Sequence, residues 1–158
     1  MGYEIERKFL VDGDYRTHSF ERFIIKQGYL SLSGTSVIRV RVNGEKAFLT
    51  VKSASVEGGI KRNEWEYEIP VGDAEEMLLL CEGAVIDKIR YLINYEGHLF
   101  EVDEFYGSNE GLVIAEIELE EEDEPFKKPD WLGGEVTGDI RYYNSSLSMH
   151  PYKEWDAK

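Results

Sequence analysis

At 158 residues the chain is long enough to bury a real core, and no linker or repeat divides it, so residues 1–158 are predicted to form one domain. The formal net charge of −14 argues against nucleic acid and against an anionic membrane as partners, because both would select a basic surface. Apolar residues make up 42% of the chain, which excludes a disordered protein, and the lack of a long apolar run or signal segment makes the cytoplasm the expected location.

Taken in order, the chain predicts eight strands and two helices separated by turns. Alternating polar and apolar residues predict strands over residues 3–11, 23–33, 36–42, 47–53, 62–71, 85–94, 99–107 and 112–120. Asn43-Gly44 is typical of a hairpin turn, and Pro70 ends the fifth strand. One helix is predicted over 73–83, with Asp73 as its N-cap, and a second within the polar tail at 139–149.

Charged residues fall on one face of strand after strand. Successive side chains on a strand point to opposite faces, so Glu4, Glu6 and Lys8 share a face that Ile5 and Phe9 do not. The arrangement recurs downstream, at Lys26, Arg39, Arg41, Lys52, Glu64, Glu66, Lys88, Arg90, Glu101, Asp103, Glu116 and Glu118. The third and sixth strands carry basic residues on this face, whereas the seventh and eighth carry acidic ones.

A sheet with one solvated face is the simplest explanation for any single strand. Solvated faces usually mix charges of both signs, however, and eight antiparallel strands are enough to close a barrel. We therefore predict a mainly β (α+β) fold, an eight-stranded antiparallel closed barrel with a charged interior. The apolar faces are expected to pack outward under helices, and a C-terminal helix completes the domain.

Such an interior has the chemistry of a polyphosphate site that uses a divalent metal. Arginine and lysine side chains match the oxygens of phosphate groups. Carboxylates repel phosphate, so beside those cations they are better explained as ligands for Mg²⁺ or Mn²⁺, which prefer oxygen.

The segment Glu4-Ile5-Glu6-Arg7-Lys8 resembles the ExExK signature of the CYTH superfamily, the triphosphate tunnel metalloenzymes. The resemblance extends over nearly the whole chain, through Gln27-Gly28-Tyr29-Leu30, Arg39-x-Arg41, Lys52, Lys88-x-Arg90-Tyr91, Glu101-x-Asp103, Glu116-x-Glu118 and Glu135-Val136-Thr137. It implies an eight-stranded antiparallel tunnel that binds a small linear triphosphate together with one or two divalent metals, Mg²⁺ or Mn²⁺.

The resemblance also implies roles for single residues. The metal ligands it implies are Glu4, Glu6, Glu101, Asp103, Glu116 and Glu118. The triphosphate would be bound by Lys8, Lys26, Arg39, Arg41, Lys52, Lys88, Arg90 and, from the C-terminal helix, Arg141. Catalytic roles, in positioning the attacking water or stabilising charge, fall to Lys52, Glu64, Glu66 and Asp103.

Activities within this superfamily differ, and the preferred hypothesis is hydrolysis of inorganic tripolyphosphate to pyrophosphate and phosphate. A class IV adenylyl cyclase and a thiamine triphosphatase are the alternatives among enzymes. A non-catalytic sensor of polyphosphate or nucleotide is an alternative of another class. The carboxylates favour catalysis, because a protein that only binds anions does not need metal ligands. The oligomeric state stays open, with a homodimer as one possibility.

Overall fold

The computed structural model describes residues 2–32, 36–53 and 61–155, of which residues 2–4 and 61–62 are described by their backbone alone. The strands are β1 Gly2–Val11, β2 Glu21–Ser31, β3 Ser36–Asn43, β4 Lys46–Ser53, β5 Lys61–Ile69, β6 Glu82–Tyr95, β7 His98–Tyr106, β8 Val113–Leu119 and β9 Leu132–Glu135. The helices are α1 Val71–Leu78 and α2 Asn144–Met149. The predicted mainly antiparallel β fold is confirmed. The predicted end of the second strand, residue 33, lies outside the described residues.

All nine strands belong to one sheet with the order β5-β4-β3-β2-β6-β7-β8-β1-β9. Along one edge β1 pairs with β8, and its other edge is shared between β5, which pairs with Gly2–Ile5, and β9, which pairs with Phe9 and Val11. β5, the first strand of this order, thus also pairs with β1, the last strand but one. All the described pairings are antiparallel.

The prediction of a closed barrel of eight strands is wrong in the number of strands and in the closure. The sheet has nine strands, and β9 occupies part of the edge of β1 through which such a barrel would close. The sequence around Gly133-Gly134 shows no alternation, so β9 was not predicted. A Cβ at Gly133 would lie 3.0 Å from the carbonyl oxygen of Leu10, which shows how closely the two strands approach.

One face of the sheet carries the charged side chains and is here called the inner face. Apolar residues on the other, outer face form most of the core. On β1 and β6 to β8 this core includes Ile5, Phe9, Phe100 and Ile117, and the aromatic ring of Trp131 packs edge-on against Phe100. The core on this side is therefore covered by the irregular segment that leads to Trp131. The prediction was that helices would cover it. Over β3 and β4 the cover is α1, whose Ala74 is buried with Val40 and Ala47. Neither described α-helix has the length and apolar character needed to cross a membrane.

The C-terminal helix is confirmed, and it packs against one end of the inner face. Leu147 of α2 is buried together with Ile86, Phe105 and Ile114. The inner face is therefore apolar near α2 and charged farther from it. Helix α1 begins at Val71 after Pro70 as N-cap, so Asp73 lies in its first turn and the predicted N-cap was three residues too late.

Candidate active site

Charged side chains from β1 and from β3 to β8 meet at one cavity of about 250 Å³, here called the central cavity. It is lined by Glu6, Arg39, Arg41, Lys52, Glu64, Glu66, Arg90, Glu101, Glu116 and Glu118. An adjoining space of about 40 Å³ shares several of these residues and adds Lys8, Tyr29, Val37, Tyr143, Asn144 and Ser145. The strand register explains this convergence, because Lys52 pairs with Glu64, Lys8 with Glu116, and Glu116 with Glu101. The prediction that these charged faces point into one interior is confirmed for the lining residues.

Three arginines supply much of the positive charge of the central cavity. Arg39 donates to Thr50 Oγ1 at 3.3 Å and lies 3.7 Å from Glu66, while its buried Nε has no hydrogen-bond partner in the described part of the chain. Arg41 donates from Nε to Gln27 Oε1 at 2.7 Å. Burial, together with the charges of Arg39 and Arg90, lowers the pKa of Arg41 to about 9. The guanidinium is still charged at neutral pH, and a bound anion would stabilise that charge.

Lys8 is close to two carboxylates that line the central cavity. Its ammonium group pairs with Glu116 and lies 3.4 Å from Glu6. Burial works against the charge of Glu116, but Lys8 and Arg90 outweigh it and hold the pKa of that carboxyl well below its usual range. Burial has the larger effect at Glu101 and raises its pKa. The carboxylates of this cavity therefore differ in how readily they accept a proton.

Arg90, which lines the cavity, and Lys88 share the buried carboxylate of Asp103. Arg90 donates to both oxygens of Asp103 at 2.8 and 2.9 Å, and Lys88 Nζ lies 2.8 Å from Oδ2. Lys88 also donates to Asn144 Oδ1 at 3.1 Å. Burial alone would raise the pKa of Asp103, but Arg90 and Lys88 lower it to about 2. Burial, aided by the charges of Arg90 and Arg41, lowers the pKa of Lys88 to about 7 despite Asp103.

This arrangement gives Lys88 and Asp103 a role different from the predicted one. Lys88 is 1% and Asp103 2% exposed, and neither lines the central cavity. Both oxygens of Asp103 are bonded to cations, so they do not face the cavity as metal ligands or as a site for the attacking water. Asp103 is instead the counter-ion that orients Arg90, and Lys88 connects this cluster to the start of α2.

Two further predicted triphosphate ligands lie away from the cavity, and one predicted metal ligand has no described side chain. Lys26 is exposed on the outer face of β2, so its predicted inward position is wrong. Arg141 is also exposed, where it pairs with Asp139 at 2.8 Å and packs over the Trp155 ring. The side chain of Glu4 lies outside the described part of the structure, although its backbone belongs to β1.

Several residues for which the sequence predicted no role contribute to the site. The inward positions of β2 are Gln27 and Tyr29, because Gln27 pairs with Arg41 and Tyr29 with Arg39. The charge of Lys26 suggested that Lys26 faces inward, which would place Gln27 and Tyr29 on the outer face. Only the pairing of β2 with β3 shows the reverse. From the C-terminal segment the chain contributes Tyr143, Asn144 and Ser145 rather than Arg141.

Whether the central cavity can bind a divalent metal depends on the carboxylates that line it. Within the described residues, no three acidic, histidine or cysteine side chains are close enough together to form a preformed metal site. Glu6, Glu116 and Glu118 nevertheless line the same cavity, and Glu6 is paired directly with Glu118 across β1 and β8. Carboxylate oxygens are the donors that Mg²⁺ and Mn²⁺ prefer, so the chemistry of this set fits either cation.

The model of the CYTH domain family matches residues 2–148. This chain is a CYTH protein. It is 54% identical over 156 residues to an inorganic triphosphatase of Acetivibrio thermocellus, covering 98% of this chain and 99% of the relative. An inorganic triphosphatase of Nitrosomonas europaea is 39% identical over 150 residues, covering 92% of this CYTH protein and 97% of the relative. A crystal structure of an inorganic triphosphatase matches with a TM-score of 0.70 and 35% identity, covering 94% of this chain and 96% of the other.

Proposed function

We propose that this CYTH protein is an inorganic triphosphatase that hydrolyses a phosphoanhydride bond of tripolyphosphate to yield pyrophosphate and phosphate. The observation that carries the proposal is that every described residue lining the central cavity is charged. Such a lining suits a ligand made of phosphate groups. Relatives named inorganic triphosphatase, at 54% and 39% identity over almost the whole chain, support the same activity. The site of action that we propose is the cytoplasm.

Substrate binding in this proposal rests on the basic residues of the cavity. Arg39, Arg41, Lys52 and Arg90 bind the oxygens of the triphosphate, with Lys8 beside them. Guanidinium groups can bind two phosphate oxygens at once, and the lysines add compact positive charges. During hydrolysis the same groups stabilise the negative charge that develops on the transferred phosphoryl group and on the leaving pyrophosphate.

The carboxylates supply the second part of the chemistry. Glu6, Glu116 and Glu118, with Glu4 on the same strand as Glu6, are the residues that would hold Mg²⁺ or Mn²⁺. When bound, such a cation neutralises phosphate charge and lowers the pKa of water. Glu64 and Glu66 orient the attacking water and accept its proton. The water oxygen forms a bond to the terminal phosphorus as the bridging P–O bond breaks, and the electron pair leaves with pyrophosphate.

The direct test compares substrates in parallel. We expect faster phosphate release from tripolyphosphate than from ATP or thiamine triphosphate, with both Mg²⁺ and Mn²⁺, because every described residue that lines the central cavity is charged and suits phosphate groups. The ATP sample is also assayed for cyclic AMP. A preference for ATP, or cyclic AMP as the main product, would favour the cyclase alternative. Tight tripolyphosphate binding without turnover of any substrate would favour the sensor.

Removing one phosphate-binding cation should weaken the enzyme strongly. Arg39→Ala and Lys52→Ala are each expected to lose roughly 1.5–3 kcal/mol of phosphate interaction, on the order of ten- to a hundredfold in kcat/KM. Steady-state phosphate release measures this loss. Lys26→Ala is the matched control, because it removes the same charge as Lys52→Ala from an exposed position on the outer face. Equal kcat/KM values for Lys52→Ala and Lys26→Ala would contradict the assignment.

A further inference from the structure

The side chain of Gln27 is completely buried beneath the basic wall of the central cavity, with 0% of the residue exposed. Its Oε1 accepts a hydrogen bond from Arg41 Nε at 2.7 Å, and its Nε2 donates to Tyr29 Oη at 3.1 Å. An arginine can only donate hydrogen bonds, so the amide oxygen has to face Arg41 and the amide nitrogen has to face Tyr29. One side chain therefore orients two residues that line the site.

The partner of Arg41 differs from those of the neighbouring arginines in charge. Arg90 is bonded to the carboxylate of Asp103, and Arg39 lies 3.7 Å from that of Glu66. Among the described residues, Arg41 has Gln27 as its hydrogen-bond partner and no carboxylate within 4.0 Å. Its guanidinium is thus half-buried, held in place by a neutral side chain and in direct contact with none of the described carboxylates.

We propose that Gln27 is a positioning residue for substrate binding: its neutral amide fixes the guanidinium of Arg41 at the cavity wall without cancelling the positive charge. This inference rests on the proposed function, since it takes triphosphate as the anion that pairs with Arg41. A carboxylate at position 27 would hold Arg41 equally well. It would also neutralise Arg41, and the charge available to phosphate would be lost.

The proposal predicts opposite orders for stability and for affinity in two variants. Q27E retains an acceptor for Arg41 and adds an ion pair, so it should melt at or above the temperature of Q27L, which leaves Arg41 Nε without a partner. Tripolyphosphate affinity should follow the reverse order. We expect the Kd to rise about tenfold in Q27L, where Arg41 is charged but no longer held, and on the order of a hundredfold in Q27E.

Calorimetric titration with tripolyphosphate in EDTA gives the Kd without hydrolysis, and thermal unfolding gives the stability. Asn109→Leu is the matched control, because Asn109 is a buried amide outside the cavity, 2% exposed, that accepts from the backbone N–H of Tyr152 at 2.8 Å. It should lower the melting temperature and leave the Kd unchanged. If Q27L does not fold, the comparison of Q27E with the wild type still decides the proposal.

The possible outcomes separate this inference from the proposed function. Wild-type affinity in Q27E, or tighter binding by Q27E than by Q27L, would show that Gln27 is merely structural. Wild-type protein that does not bind tripolyphosphate would overturn Arg41 as an anion site and this inference with it. Hydrolysis is assayed separately with Mg²⁺. Wild-type protein that binds tripolyphosphate and does not hydrolyse it would overturn the proposed activity alone, and the order of Kd values would still decide the role of Gln27.

Discussion

Replacing Glu6 by glutamine is expected to abolish metal-dependent hydrolysis of tripolyphosphate while the protein stays folded. Glu6 lines the central cavity, pairs across the strands with Glu118, and lies 3.4 Å from Lys8. The amide keeps the shape of the side chain but loses the charge that a divalent cation needs. Metal stabilisation of a phosphoryl-transfer transition state is worth several kcal/mol, so kcat should fall on the order of a thousandfold.

Phosphate release at limiting Mg²⁺, together with thermal unfolding, tests this expectation. Stability should stay close to that of the wild type, because Lys8 retains its ion pair with Glu116. Glu45→Gln is the control, since it makes the same substitution at an exposed turn between β3 and β4. Full activity of Glu6→Gln at limiting Mg²⁺ would contradict a role for Glu6 as a metal ligand.

Asp103→Asn is expected to reduce the free energy of unfolding by about 3–5 kcal/mol, the largest stability loss that we predict for a single polar substitution here. The carboxylate is 2% exposed and is bonded to Arg90 and Lys88. Lys88, with a pKa lowered to about 7, can release its proton, but the guanidinium of Arg90 stays charged. The variant therefore removes the buried carboxylate that accepts two hydrogen bonds from Arg90, and it leaves this cation with the more exposed Glu101, 3.4 Å away.

Urea unfolding measures this loss, and Asp139→Asn is its matched control. Asp139 also accepts two hydrogen bonds from the side chain of one arginine, Arg141, but that pair is exposed, so its loss should cost at most about 1 kcal/mol. Equal losses of stability in the two variants would show that burial of the Asp103 cluster does not matter.

The same cluster gives the protein an acid-sensitive component of stability. Because the pKa of Asp103 is lowered from 3.8 to about 2, the folded state holds this carboxylate ionised where the unfolded state takes up a proton. The contribution is complete above pH ~4 and is lost as the pH falls through about 2. Asp103→Asn removes it, so its difference in stability from the wild type should shrink over that range.

The amino-acid sequence by itself determined eight of the nine described strands, the two helical regions and the charged faces of most strands. This information is local: side chains alternate along a strand whatever lies next to it, so Glu6 with Lys8 and Arg39 with Arg41 had to share a face. The ExExK segment and the later charge pairs were also enough to indicate the family.

The tertiary structure decided what each charged residue on those faces does. Lys88 and Arg90 alternate with apolar neighbours in the same way, yet Arg90 lines the cavity and Lys88 is buried against Asn144 of α2. On β2, the charge of Lys26 was a misleading guide, and the pairing of Gln27 with Arg41 established which face points inward. The alternation of side chains along a strand assigns each residue to one of its two faces. Whether that face meets solvent, a cavity or packed neighbours depends on strand register and on the segments that cover each end, which are contacts between residues far apart in the chain.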